Sequence, residues 1–224
     1  MVNSSNSAAS LLARVARWRL FEPSMRVLVF LLALTPFAML VFSVATNALG
    51  PDPAEALMHV TGEWAIRLLV LVLAARPLAS WGWGRLYRYR RMLGLFMFFY
   101  ASLHLLVFAQ VYVGWDTTIL VEELSERPYV LVGFTAWLIL LPLAVTSANA
   151  LRRRMGRRWK QLHQWVYAVA VLGWLHVLWL SRSDIGDAVI YGLLFAALLG
   201  WRLKIFLQKV LQGRDVGGYS SRPR

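Results

Sequence analysis

The chain has 224 residues, of which 59% are apolar and only 16% charged. Soluble domains run at about 45–50% apolar and about 25% charged, so a disordered chain is excluded and a soluble domain of this size could not hide the surplus. The formal net charge of +13 raises nucleic-acid binding, but the basic residues sit in short stretches between apolar runs, which is the pattern of membrane topology. With no cysteine, disulfides, thiolate metal sites, iron–sulfur clusters and thioether-linked haem are all excluded.

Six apolar segments, at about 26–48, 57–79, 92–113, 128–149, 163–181 and 187–207, each approach the roughly 20 residues that a helix needs to cross the hydrocarbon. Lipid offers no partner to a free backbone amide, and no barrel-like alternation is present, so the prediction is all-α. The first segment follows Arg14, Arg17 and Arg19, as in a signal peptide. It is too long for a signal core and is read as a span. The expected organisation is an arm over 1–25, a transmembrane domain over 26–207 and a disordered polar tail over 208–224.

With the N-terminus inside, the inner segments carry 21 of the 24 basic residues, and the outer loops carry Arg127 and Arg182. The outer loops also hold eight of the eleven acids: Asp52, Glu55, Asp116, Glu122, Glu123, Glu126, Asp184 and Asp187. This split predicts a polytopic six-helix bundle with both termini in the cytoplasm. It also predicts no nucleic-acid partner. The run Arg152-Arg153-Arg154 with Arg157-Arg158 is expected to meet anionic lipid headgroups.

No Gly-rich nucleotide fingerprint and no soluble domain are evident, so chemistry must lie within the bundle. The four histidines, His59, His104, His163 and His176, all fall in or at the ends of spans. Ionisable groups in lipid are costly and default to a functional reading, the alternative being helix–helix hydrogen bonds. His104 lies 13 residues beyond Arg91, and His176 lies 16 beyond Lys160. At 1.5 Å per residue both stand about 20–24 Å above the inner edge. Two neutral imidazoles at one level on two helices suit the axial positions of a b-type haem.

His163 lies about 20 Å below His176 and could serve a second, inner haem. Its opposite number on the third span would fall at Arg90 and Arg91, where guanidinium is a poor metal ligand but a good clamp for propionate or phosphate. Thirteen residues make about 3.6 turns, so on one ideal helix His163 and His176 point differently; tilt or a local kink near Gly173 is the expected correction. On the second span His59, Glu63 and Arg67 share a face at i, i+4, i+8 spacing. They form either a self-neutralising pair or a polar pocket for a quinone headgroup or propionate, and His59 could equally be an interfacial residue. Trp81, Trp83, Tyr87 and Tyr89 read as an interfacial belt, and Trp165, Tyr167, Trp174 and Trp179 as belt or macrocycle wall.

Several pieces together resemble the bacterial MsrQ family, formerly YedZ. These are Arg90-Arg91-Met92-Leu93-Gly94-Leu95 with Tyr100 and Leu103-His104-Leu105, then His59-Val60-Thr61-Gly62, Arg127-Pro128-Tyr129, and Trp137-Leu138 with Thr146-Ser147. Gly156, Trp159-Lys160-Gln161-Leu162-His163, Tyr167 and Leu175-His176-Val177-Leu178-Trp179 complete the pattern, which covers about 20–207. The family belongs to the ferric-reductase-like transmembrane superfamily, whose members use two histidines on the third span and two on the fifth. The resemblance implies that His104 and His176 hold an outer haem and His163 an inner one, with Arg90 at or near the place of the missing fourth histidine. It implies one or two haems b, and FMN, with the basic inner loops as its expected area.

The role implied is a haem-binding electron-transfer subunit of the bacterial inner membrane. It takes electrons from the quinone pool or a cytosolic flavin reductase. It passes them to MsrP, a periplasmic molybdenum-cofactor enzyme that repairs methionine sulfoxide in oxidised proteins. The acidic outer loops, 114–127 above all, are the expected docking surface. The alternatives are a stand-alone ferric or cupric reductase and a transporter or assembly scaffold; for the last, Pro142 is the one breaker noted and no repeat is evident.

Overall fold

The computed structural model describes residues 4–181 and 185–215, and among these every regular element is helical. Arg182, Asp184 and the part of the expected tail beyond 215 lie outside the described residues. Two compact units are present, Met1–Ala56 and Leu57–Arg224. The first is built on α1 (Ser4–Ala45), so the expected arm over 1–25 enters the same helix as the first apolar segment. Phe30, Leu31, Leu32, Met39 and Phe42 are exposed on α1, as lipid-facing side chains are in the absence of lipid.

From α2 (Pro53–Ser80) onward the helices follow the apolar runs. α3 (Gly84–Phe108) continues into a π turn over Ala109–Val113, and Gly114, at φ 61°, ends it in the left-handed region that suits glycine. Next come α4 (Thr117–Glu126), α5 (Pro128–Val145), α6 (Asn149–Met155), α7 (Arg157–His163), α8 (Val166–Leu180) and α9 (Gly186–Asp215). Pro128 opens α5 at a position where a missing amide costs nothing. α9 runs eight residues past the expected boundary at 207.

Among the described residues five helical stretches are long and apolar enough to cross a membrane: Pro23–Ala45, Pro53–Ser80, Leu86–Val113, Pro128–Val145 and Gly186–Gln208. The fifth expected segment, 163–181, is not one continuous helix. α7 ends at His163, and tight turns bridge Gln161 to Gln164 and Leu162 to Trp165. That leaves α8 with 15 residues, about 22 Å of rise against a hydrocarbon core of about 30 Å. The hydrogen-bond ladder tightens at Gln164–Trp165, where the backbone stays in the right-handed helical region, and α8 passes through Gly173 unbroken.

α8 packs between α5 and α9, and α5 also packs on α3. The Trp137 indole donates to Ser102 Oγ at 3.0 Å and stacks on Phe98, tying α5 to α3. Trp64 meets Tyr100, tying α2 to α3, and Tyr100 is fully buried. Buried polar groups survive in such an interior only when hydrogen-bonded, and Thr61, also fully buried, donates back to the Leu57 carbonyl at 2.7 Å.

Asp116 caps α4 by accepting the Thr118 amide at 2.7 Å, and the Thr118 and Ile119 amides hold its pKa below the usual carboxylate range. A carboxyl with a lowered folded pKa contributes stability above its unfolded pKa of about 3.9 and loses it as pH falls through the folded value. Asp116→Ala is expected to speed amide exchange at the start of α4 at neutral pH. The difference from the native chain should vanish once the pH is low enough to protonate Asp116.

Candidate cofactor site

His104 on α3 and His176 on α8 face one another. Their ring centres are 6.1 Å apart and their planes are perpendicular, at 88°. Both are half-buried, in an interior that is otherwise apolar. The Nδ1 atom of each is turned back to a backbone carbonyl. For His104 this is Met58 O on α2, at 3.0 Å, with the Thr61 hydroxyl at 3.4 Å. For His176 it is Tyr129 O on α5, at 2.7 Å. A carbonyl can only accept, so Nδ1 carries the proton and Nε2 keeps a free lone pair.

These carbonyls already accept within their own helices, so a second donor needs open space beside them. Glycine four residues on creates that space in both cases. A Cβ on Gly62 would lie 3.1 Å from the His104 ring, and one on Gly133 would lie 2.7 Å from Nδ1 of His176. Met58 with Gly62, and Tyr129 with Gly133, thus form two matching cradles on α2 and α5. The same device recurs between α8 and α9. Trp174 Nε1 donates to Ala188 O at 2.9 Å, and a Cβ on Gly192 would lie 2.7 Å from that nitrogen. Sequence reading missed the functional sense of Gly62, Gly133 and Gly192. The available signal was isolated glycine inside otherwise unbroken apolar helices, where glycine costs about 1 kcal/mol and asks for a reason.

The other expected residues are placed differently. His163 ends α7, where its ring stacks on Trp159 at 4.0 Å and its Nδ1 faces Trp159 O at 3.1 Å; the Leu143 carbonyl also acts on it. Its ring contact is thus with Trp159, not with the His104–His176 pair. Arg91 donates to Asn149 Oδ1 at 2.7 Å, joining α3 to α6. Arg90 lines a notch with Tyr167 and Arg202. On α2, Glu63 bridges His59, at 3.0 Å, and Arg67, so the three form a self-neutralising ladder, with Arg67 over the Trp64 ring at 5.3 Å. Trp174 is held against α9, whereas Trp165 and Trp179 are exposed. Trp81, Trp83 and Tyr87 are exposed as a belt requires, but Tyr89 is buried.

The donor set fits a haem. An imidazole bound to a metal at about 2 Å has its ring centre about 3 Å from the ion, so a metal held from both sides separates the ring centres by about 6 Å. The observed 6.1 Å matches. Among the described residues no group of three or more His, Cys, Asp or Glu could hold a bare ion. A porphyrin supplies four nitrogens of its own, so two axial imidazoles complete its iron.

Comparison with known proteins places the chain in a family. A family described as "Ferric reductase like transmembrane component" matches residues 61–174, half of the chain, from Thr61 to two residues short of His176. A protein of Polaromonas naphthalenivorans (strain CJ2), "Protein-methionine-sulfoxide reductase heme-binding subunit MsrQ", is 41% identical over 199 residues, covering 87% of this chain and 90% of the relative. The protein of the same description in Xanthomonas axonopodis pv. citri is 43% identical over 80% of this chain and 85% of its own. That of Xanthomonas campestris pv. campestris (strain B100) is 46% identical over 70% and 73%. No solved structure matches. With this identity sustained over most of both chains, the chain belongs to the MsrQ family, within the ferric-reductase-like transmembrane proteins.

Proposed function

We propose that this chain is the haem-binding electron-transfer subunit of a protein-methionine-sulfoxide reductase in the bacterial inner membrane. In this reading His104 and His176 are the axial ligands of a haem b. The observation that carries it is the pair of facing imidazoles at 6.1 Å, each anchored through Nδ1 to a helix carbonyl. Each carbonyl holds its ring in one tautomer and raises the basicity of Nε2. Gly62 and Gly133 let each ring reach the carbonyl that anchors it. Haem b held by the two rings would supply reversible one-electron transfer at a fixed depth in the bilayer.

The proposed topology has six spans and both termini in the cytoplasm. Its support is the concentration of Lys and Arg in alternate segments and the packing of α8 between α5 and α9, despite its short length. The electron donor is then the quinone pool or a cytosolic flavin reductase, and the acceptor is the periplasmic molybdenum-cofactor subunit MsrP. Exposed Asp116, Glu122 and Glu126 around α4 are the proposed docking surface for that subunit. FMN belongs to the same reading through the family alone. His163 meets no second imidazole, since His104 and His176 meet each other and His59 is bridged to Glu63, and this favours a single haem per chain.

The purified protein is expected to show a reduced-minus-oxidised b-type spectrum and a haem-to-protein ratio near one. His104→Ala or His176→Ala should each remove that spectrum entirely; full haem retention in either variant sinks the ligand assignment, and a ratio near two returns His163 to the ligand set. Gly133→Ala should lower haem retention severalfold more than Gly62→Ala, because its Cβ would meet the imidazole at 2.7 Å rather than 3.1 Å. Orientation is testable without background, since the native chain has no cysteine. A membrane-impermeant thiol reagent added to spheroplasts should label Ser125→Cys and spare Arg153→Cys.

A further inference from the structure

Near the end of the bundle opposite the α4 loop, Arg90 of α3 and Arg202 of α9 line one notch. The other walls are Leu73, Pro77, Tyr167, Leu198, Leu199 and Trp201. Arg202 is half-buried and lies over the Tyr167 ring at 5.3 Å. Arg76 and Arg90 act on it as like charges, and its hydrogen bond goes to the Tyr167 phenol. The contrast with α2 is direct, because there Glu63 neutralises Arg67 within the helix. Like charges crowded at an apolar wall repel one another more strongly than in water, and an anion between them relieves the repulsion.

We infer that this notch binds the phosphate of an anionic membrane phospholipid. The chemistry is that of a phosphate ester on a guanidinium pair, which planar guanidinium forks hold through two parallel bonds. Two features select a lipid as its source. In the proposed topology the notch lies on the cytoplasmic side, where anionic headgroups are the abundant phosphate. The residues one turn towards mid-membrane are apolar: Leu198 precedes Arg202 by four positions on α9, and Leu73 precedes Pro77 by four on α2. Leu193 and Leu194, a further turn away, are exposed and extend that apolar track. An acyl chain fits along the track with its phosphate at the arginines. The sidedness rests on the proposed topology; the charge geometry does not.

The test uses the whole purified protein in nanodiscs of phosphatidylcholine, with and without phosphatidylglycerol, and native mass spectrometry to count retained lipid. The native chain is expected to retain phosphatidylglycerol selectively. Arg202→Gln, and independently the exposed Arg76→Gln, should weaken that retention about tenfold or more for Arg202 and severalfold for Arg76. Arg153→Gln, in the exposed basic run of α6 that meets headgroups diffusely, should cost less than either. Equal losses in Arg153→Gln mean only general attraction to a basic surface and overturn the site. So does unchanged lipid in both Arg202→Gln and Arg76→Gln, or a loss of flavin fluorescence or haem absorbance in place of lipid. Haem absorbance read on the same native sample separates the two readings: selective lipid without haem overturns the haem proposal and leaves the lipid site standing.

Discussion

The central constraint is the room that glycine leaves four positions beyond a helix carbonyl, which lets an imidazole from another helix reach that carbonyl. Met58 with Gly62 gives that room on α2, and Tyr129 with Gly133 gives it on α5. The two rings are thereby pinned from opposite sides, and their separation is set by where α2 and α5 stand, not by the rotamers of His104 and His176 alone. In a bilayer interior an unpaired ring N–H is expensive, so each anchor also stabilises the bundle. The ring spacing that fits a metal is thus part of the helix packing.

α8 carries much of the remaining order. Too short to cross a bilayer by itself, it presents His176 to α5 and Trp174 to α9, two residues apart and on different sides. Gly192 receives Trp174 as Gly133 receives His176. Van der Waals packing and interhelical hydrogen bonds replace the hydrophobic effect as the adhesive between helices in lipid, and small residues at contacts allow both. Tight turns at Gln164–Trp165 separate His163, at the end of α7, from the start of α8.

Charge is handled in two different ways along the same bundle. The first half of α2 cancels its own, through His59, Glu63 and Arg67 in one ladder. Around Arg76, Arg90 and Arg202 like charges gather instead, with the Tyr167 phenol as the hydrogen-bond partner of Arg202. The first arrangement is neutral and local; the second leaves positive charge for an anion to meet.

The all-helical class, the boundaries of most apolar helices and the pairing of His104 with His176 were legible in the sequence. They follow from run length, from the rise of a helix and from the rarity of ionisable groups in lipid, all of which are local or one-dimensional quantities. The matching depths of the two histidines needed only counting. The glycine cradles were not legible, because Met58 and Tyr129 act through backbone carbonyls, which every residue has, and their partners lie 46 and 47 positions away. The tight turns at Gln164–Trp165, the stacking of His163 on Trp159 and the meeting of Arg90 with Arg202 were also decided by the tertiary structure alone. Each depends on which helices become neighbours, and periodicity along one chain carries no information about the helix across the gap.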